Sequence, residues 1–321
     1  MSHIKDRILI AGTTMNSLNS NWQLRTHAAN GFRQAYPDSA VYDCAWDEAF
    51  HLIRQLKPTL VIWMGGVMLE EYDLRLFSDN AKFHGGKIAF WMHDDPYELD
   101  ASLKVVDFAD YIFTTDKASV IHYPPSVPTF HLPLAACPIA HFRPVNTRSS
   151  YDWFFCGAPF PCRLDFFQKI EALGPDLNGL LVGPGWDLSK FKTAADINIS
   201  QGQISNYYST SKCVIYIGRD LNLANQRFSV KASTPGPRIF EASMAGALQL
   251  VFTQGLEVLD YFEDPSEIKL VNSAEEANEL IFNIKYFTEI STSVGRAGQR
   301  RALSNHTYAH RAKAMIDHLN D

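Results

Sequence analysis

Short apolar runs alternate with longer amphipathic stretches along the whole chain. Runs at residues 8–11, 40–43, 59–64, 87–92, 111–114 and 129–132 predict six strands in the first half, and runs at 153–156, 179–182, 213–217, 248–252 and 268–271 predict five in the second. Leu60-Val-Ile-Trp-Met64 is apolar at every position, the pattern of a parallel strand covered on both faces. The amphipathic stretches predict helices at 22–36, 46–56, 162–173, 237–245, 273–288 and from about 297 onward, the second of them ended by Lys57-Pro58. Strand–helix alternation of this kind implies doubly wound α/β sheets.

The alternation pauses at 132–138 and 143–150, where three prolines and a polar run interrupt it. A chain of 321 residues exceeds the usual size of one core, so the pause is read as a domain border. The expected organisation is a Rossmann-like domain over 1–140, a second over 150–303, facing it across a cleft, and a closing helix at 304–321 that crosses back to the first. Composition supports an ordinary globular protein, 46% hydrophobic and 20% charged. A net charge of −6 speaks against a general nucleic-acid binder, which needs surplus Lys and Arg to displace counterions from phosphates, though nucleic acid as an acceptor stays open. The five cysteines, Cys44, Cys137, Cys156, Cys162 and Cys213, show no CxxC spacing, which suggests free thiols in a reducing compartment. No apolar run is long enough for a signal segment or a membrane span, and a cytoplasmic location is expected. The sequence carries no signal for oligomeric state.

In open α/β sheets ligands bind beyond the carboxyl ends of the strands, so chemistry is sought there. The most informative stretch follows Tyr216-Ile-Gly-Arg-Asp220 and runs from Ser233-Thr234-Pro235-Gly236-Pro237-Arg238 to Glu241. Pro237 suits a first helical turn, and a helix starting there offers N–H groups and a positive dipole end to a phosphate or diphosphate. Arg238 adds a fork of donors for phosphate oxygens, and Glu241, one turn on, can accept from a ribose diol. An ordinary αβ unit with an Arg–Glu surface pair is the plainer alternative. In the first half, a buried strand ends in His93-Asp94-Asp95-Pro96. His93 or Asp94 can bond a sugar or take a proton from an acceptor, while one of the two aspartates caps the helix that Pro96 opens. Two carboxylates alone are a weak metal signal, and no metal or cofactor is expected. Gly12 and Thr13, in the loop 10–16, and Gly65, before Gly66, also follow strands and suit the vicinity of sugar or acceptor. Asp107, Asp110 and Asp116 read as caps rather than catalysts. Leu181-Val-Gly183-Pro-Gly-Trp186 reads equally as one wall of a base pocket, with Trp186 as stacking face, or as a β-turn with a partly buried Trp.

Arg238-Ile-Phe-Glu-Ala-Ser-Met-Ala-Gly-Ala-Leu closely resembles the donor-site helix of retaining GT-B glycosyltransferases. More narrowly, the chain is similar to the spore-maturation (CgeB-like) glycosyltransferases in that helix and in three other stretches. These are Phe155-Cys-Gly157 with Arg163, Tyr261-Phe-Glu-Asp with Glu267-Ile-Lys-Leu-Val271, and His306-Thr-Tyr-Ala-His-Arg311. The resemblance implies that Glu241 is the second glutamate of a Glu-x7-Glu motif and binds the ribose. The first glutamate falls on Ser233, and the amides around Thr234–Gly236 are the implied substitute. It further implies that Arg163 reaches the diphosphate, that Gly157 lets the sugar-phosphate approach, and that His93-Asp94 lies beside the donor sugar.

The implied function is metal-independent transfer of a glycosyl group from a nucleoside-diphosphate sugar to a hydroxyl acceptor of unspecified class, with retention at the anomeric carbon where the motif is followed. Closure of the domains would exclude water from the activated sugar. Two other functions fit the same fold: a nucleotide-sugar epimerase and a non-catalytic, hinge-closing ligand-binding protein.

Overall fold

A computed structural model describes residues 7–13, 21–68, 73–146, 149–195, 199, 201–286 and 288–320. Residues 14–16 of the loop after the first strand, and Thr147 and Arg148 of the expected linker, lie outside this set. The chain divides into two compact units. The first comprises residues 1–134, 222–234 and 308–321, and the second 135–221 and 235–307.

The first unit holds β1 (Arg7–Gly12), α1 (Asn21–Ala35), β2 (Ala40–Ala45), α2 (Trp46–Leu56), β3 (Leu60–Met64), α3 (Leu74–Phe83), β4 (Lys87–Met92), α4 (Leu99–Ser102), β5 (Tyr111–Thr114) and β6 (Thr129–His131). Its six strands are all parallel, in the order β2-β1-β3-β4-β5-β6. Every residue of β3 is buried, as its uninterrupted apolar run requires. Lys57 adopts a left-handed conformation (φ 46°) at the end of α2 and Pro58 follows it, so the helix cannot continue. Asp73 opens α3 by accepting the Leu76 amide at 2.8 Å.

The second unit holds α5 (Pro138–His141), β7 (Tyr151–Cys156), α6 (Pro161–Leu173), β8 (Gly179–Val182), β9 (Ala194–Ala195), α7 (Gln201–Ser209), β10 (Ser211–Ile217), α8 (Arg238–Met244), β11 (Gln249–Phe252), β12 (Lys269–Val271), α9 (Ala274–Tyr286) and α10 (Thr288–Asn305). Its parallel sheet runs β12-β11-β10-β7-β8-β9, the Rossmann order. Strand order reverses between β1 and β3 in the first sheet and between β7 and β10 in the second, and such switch points are where α/β sheets open a crevice for ligands.

The borders differ from the sequence expectation in two places. Residues from Ala135 onward already belong to the second unit. The segment 222–234, read from sequence as a polar connection inside the second domain, is a strap on the first. The Leu223 and Ala224 amides donate to the Tyr97 carbonyl, and the Gln226 and Arg227 amides to Asp100. Ala224, Phe228 and Val230 pack on the first core. The helix expected from 297 onward breaks at His306 and Thr307, where the Ala136 amide donates to the His306 carbonyl. The remainder is α11 (Tyr308–Asn320), which packs on α1 within the first unit and donates from Arg311 Nε to the Pro133 carbonyl at 2.9 Å.

Candidate functional site

In the first unit the exits of β1, β3 and β4 bring several expected residues together. Gly12 closes β1, and Arg25 of α1 fixes the chain beyond it by donating to the Gly12 and Thr13 carbonyls. Thr13 is buried, and its hydroxyl has no hydrogen-bond partner among the described residues. Gly65 lies against the Thr13 methyl group. At the end of β4, His93 is buried and its Nε2 stands 2.8 Å from the Asp94 carboxylate. The pair has the geometry of a base with an orienting carboxylate.

Asp95 turns the other way. Its carboxylate accepts from the Ser102, Thr114 and Tyr123 hydroxyls at 2.6–2.7 Å. Burial pushes it up to about 6 even though these three bonds pull it down. It therefore holds the β4 exit in shape, next to His93 and Asp94, and its carboxylate is engaged within the first unit. Glu98, unremarkable in sequence, is buried beneath the β3 exit and accepts the Val67 amide at 3.2 Å. Burial, then the neighbouring Asp94 charge, push its carboxyl up to about 7.

Ser233 and Thr234 end the strap. Both amides donate to Asp116 Oδ2, at 2.7 and 2.9 Å, and the Ser233 hydroxyl accepts the Ala118 amide. The Thr234 hydroxyl accepts from the Lys117 amide and lies 3.0 Å from His131. Asp116 is the anchor of this turn rather than the expected cap, since its side chain makes no capping hydrogen bond to the helical turn that follows it. The Gly236 amide donates to the Tyr216 hydroxyl at 2.7 Å. The amides expected to replace the missing glutamate are thus already used, and that expectation is corrected.

In the second unit α8 starts one residue after Pro237 and is only seven residues long. The amides of Ile239, Phe240 and Glu241 are taken by the Gly236 and Pro237 carbonyls, so the helix start offers less to an anion than the sequence suggested. The Arg238 side chain is 37% exposed, whereas Glu241 beneath it is 1% exposed and grips Arg238 Nη1 at 2.8 Å. Burial works to lower the Arg238 guanidinium, but Glu241 outweighs it and the net shift is upward, so its charge is secure. His141, at the end of α5, is fully buried. Its Nδ1 accepts the Cys137 amide at 3.0 Å, which makes the imidazole neutral with its proton on Nε2, and Nε2 points to Glu241 at 3.8 Å. Sequence reasoning missed His141 because nothing in its spacing links it to a helix a hundred residues later.

Two further assignments are corrected. The Arg163 guanidinium, expected at the diphosphate, is engaged with the protein itself. Its nitrogens donate to the carbonyls of Ala158, Ile217 and Gly218, and its plane sits over the Phe155 and Phe160 rings. It ties the β7 exit to the β10 exit across the switch point. Trp186 is 6% exposed, packs among Phe155, Phe167 and Phe191, and donates to the Gly157 carbonyl at 2.8 Å. Its faces are occupied by the core, so the β-turn reading holds. Gly183 (φ 144°) lies so close to the Gly157 backbone that a Cβ there would meet the Gly157 carbonyl oxygen at 2.4 Å. Gly157 and Gly183 thus form one tight double turn at the β7 and β8 exits. All five cysteines are free thiols. Among the described residues no three metal-ligating side chains come together, and no helix is long and apolar enough to cross a membrane.

This architecture is shared with known structures. It is similar to Anabaena HepE in complex with UDP and glucose, at 9% identity and a TM-score of 0.67, over 98% of this chain and 100% of that one. It is also similar to the sucrose-phosphate synthase of Thermosynechococcus elongatus, at 10% identity and a TM-score of 0.60, over 98% of each chain. Residues 163–317, from α6 into α11, match the family described as "Glycosyl transferase-like". The likeness to solved structures shows the fold, the two-unit GT-B α/β architecture, and the family match covers a little under half of the chain. Among curated proteins the chain is similar to the spore protein CgeB of Bacillus subtilis (strain 168), 25% identical over 176 residues. That match spans 50% of this chain and 54% of CgeB.

Proposed function

We propose that the protein moves a glycosyl group from a nucleoside-diphosphate sugar to a hydroxyl-bearing acceptor, the second unit taking the nucleotide and the first the acceptor. The observation that carries this reading is the half-exposed Arg238, charged and oriented by a buried Glu241, inside the segment matched by the family. A guanidinium held in place can stabilise the charge that develops on a departing diphosphate. In the reaction the bond from the anomeric carbon to the diphosphate oxygen breaks and a bond to the acceptor oxygen forms. The acceptor's proton passes to the His93–Asp94 pair.

A fixed cation at the diphosphate supports a metal-independent reaction. The resemblance assigns Glu241 to the ribose; in this chain its carboxylate also orients Arg238. Ser233 supplies no carboxylate to the donor sugar, so the retaining outcome rests on the remaining motif alone.

UDP, GDP, dTDP, ADP and CDP should be compared by thermal shift, since a ligand that binds the native state raises its melting temperature. UDP is the expected stabiliser, because HepE was solved with it. Loss of a charge-assisted contact weakens binding by about 1.5–3 kcal/mol, so Arg238→Ala should lower calorimetric affinity roughly tenfold or more. Equal affinity in wild type and Arg238→Ala would remove Arg238 from the site. Incubation with donor alone separates transfer from epimerisation: a transferase gives slow hydrolysis, an epimerase converts the sugar.

A further inference from the structure

The exits of β1, β3 and β4 lie side by side at the carboxyl end of the first sheet, and one carboxylate lies beneath them. Glu98 follows the β4 exit just before α4, is 2% exposed, and accepts the Val67 amide through Oε1. Gly66 passes directly over that oxygen: a Cβ at position 66 would stand 2.1 Å from Glu98 Oε1. The loop from Gly65 to Val67 is therefore shaped around this carboxyl group, with Gly65 against Thr13 on one side.

We propose that Glu98 is a positioning residue of the acceptor half of the site, whose ionised carboxylate clamps the Gly65–Gly66–Val67 loop beside His93 and Asp94. The proposal rests on assigning the acceptor to the first unit. The clamp works through the Val67 N–H. An ionised acceptor makes a hydrogen bond roughly twice as strong as a neutral one, so the loop is held firmly when Glu98 is charged and loosely when it carries a proton.

The surroundings place this change near neutrality. Burial raises the carboxyl most, Asp94 and Asp95 raise it further, and His93 and the Val67 amide lower it, for a value of about 7. Among the described residues Tyr123 also senses Glu98, and burial keeps its phenol well above the ordinary value and hence neutral. The Gly65–Val67 loop brings no titratable side chain of its own.

The test is a pH titration of the Val67 amide resonance in the full chain, wild type against Glu98→Gln, paired with the pH dependence of kcat/KM for the acceptor. Glu98→Gln keeps the shape and an accepting oxygen but removes the charge. The wild-type Val67 amide should titrate with a midpoint near 7, and the variant's should not. Transfer by the wild type should rise from pH 6 to pH 8 about tenfold more steeply than transfer by the variant, which keeps only the pH dependence of the His93–Asp94 base. A Val67 resonance that titrates identically in both proteins would assign the ionisation to His93 and overturn the clamp. A pH dependence of transfer unchanged by Glu98→Gln would overturn the positioning role. Should no nucleotide sugar be turned over, the proposed function falls, while the amide titration still decides whether Glu98 holds the loop.

Discussion

Burial, more than residue type, separates the side chains that face a ligand from those that hold the frame. Arg238 and Arg163 both follow strand exits in the second unit, and sequence gave them the same task. The structure leaves the Arg238 side chain partly exposed over Glu241 and spreads Arg163 over three backbone carbonyls. Truncating Arg163 leaves buried carbonyls without donors, at about 1–3 kcal/mol each when unrelieved. Arg163→Ala should therefore lower unfolding free energy by about 3 kcal/mol or more in urea titration. A variant of wild-type stability with selectively lost nucleotide affinity would return Arg163 to the ligand. The Arg238–Glu241 pair was legible because helical spacing of three brings the two side chains together. Glu98 and His141 were not, because their burial comes from chain segments distant in sequence.

At the scale of elements, most strands and helices were legible from the apolar runs, β3 and β10 most clearly. The strap was not. Its apolar residues Ala224, Phe228 and Val230 follow neither a helical nor a strand period, and its partners Asp100 and Asp116 lie over a hundred residues earlier. A segment with no period of its own gives no sign of which core will receive it. Asp116 gathers two amides at the end of the strap, so Asp116→Ala should cost about 3–6 kcal/mol, taking both bonds as charge-assisted. Hydrogen exchange should show it locally: the Ser233 and Thr234 amides should exchange faster while those of β10 keep their protection. Unchanged exchange at these two amides would mean that the strap is held by its apolar residues alone.

For the whole molecule, two raised carboxyls tie stability to pH. Asp95 and Glu98 hold their protons up to about 6 and about 7 in the folded chain, above their ordinary values. The native state thus binds more protons than the unfolded one between the ordinary carboxylate range and neutrality, and stability falls as pH rises through that window. Glu98 accounts for up to about 3 kcal/mol of the fall, and Glu98→Gln should flatten the melting-temperature profile between pH 5 and pH 8. An equally steep profile in the variant would assign the effect elsewhere. The two sheets were foreseeable from alternation alone, but their membership was not, because contacts between remote segments decide it. The first unit is assembled from 1–134, 222–234 and 308–321. On the ribosome its six strands emerge long before Tyr308, which is buried in that unit and packs near His27 and Trp91. The strands of the first unit must therefore wait, incomplete and exposed to proteases, until α11 has been made. Nascent chains arrested shortly after residue 134 should be digested readily, and resistance of β1–β6 should appear only once α11 has cleared the exit tunnel.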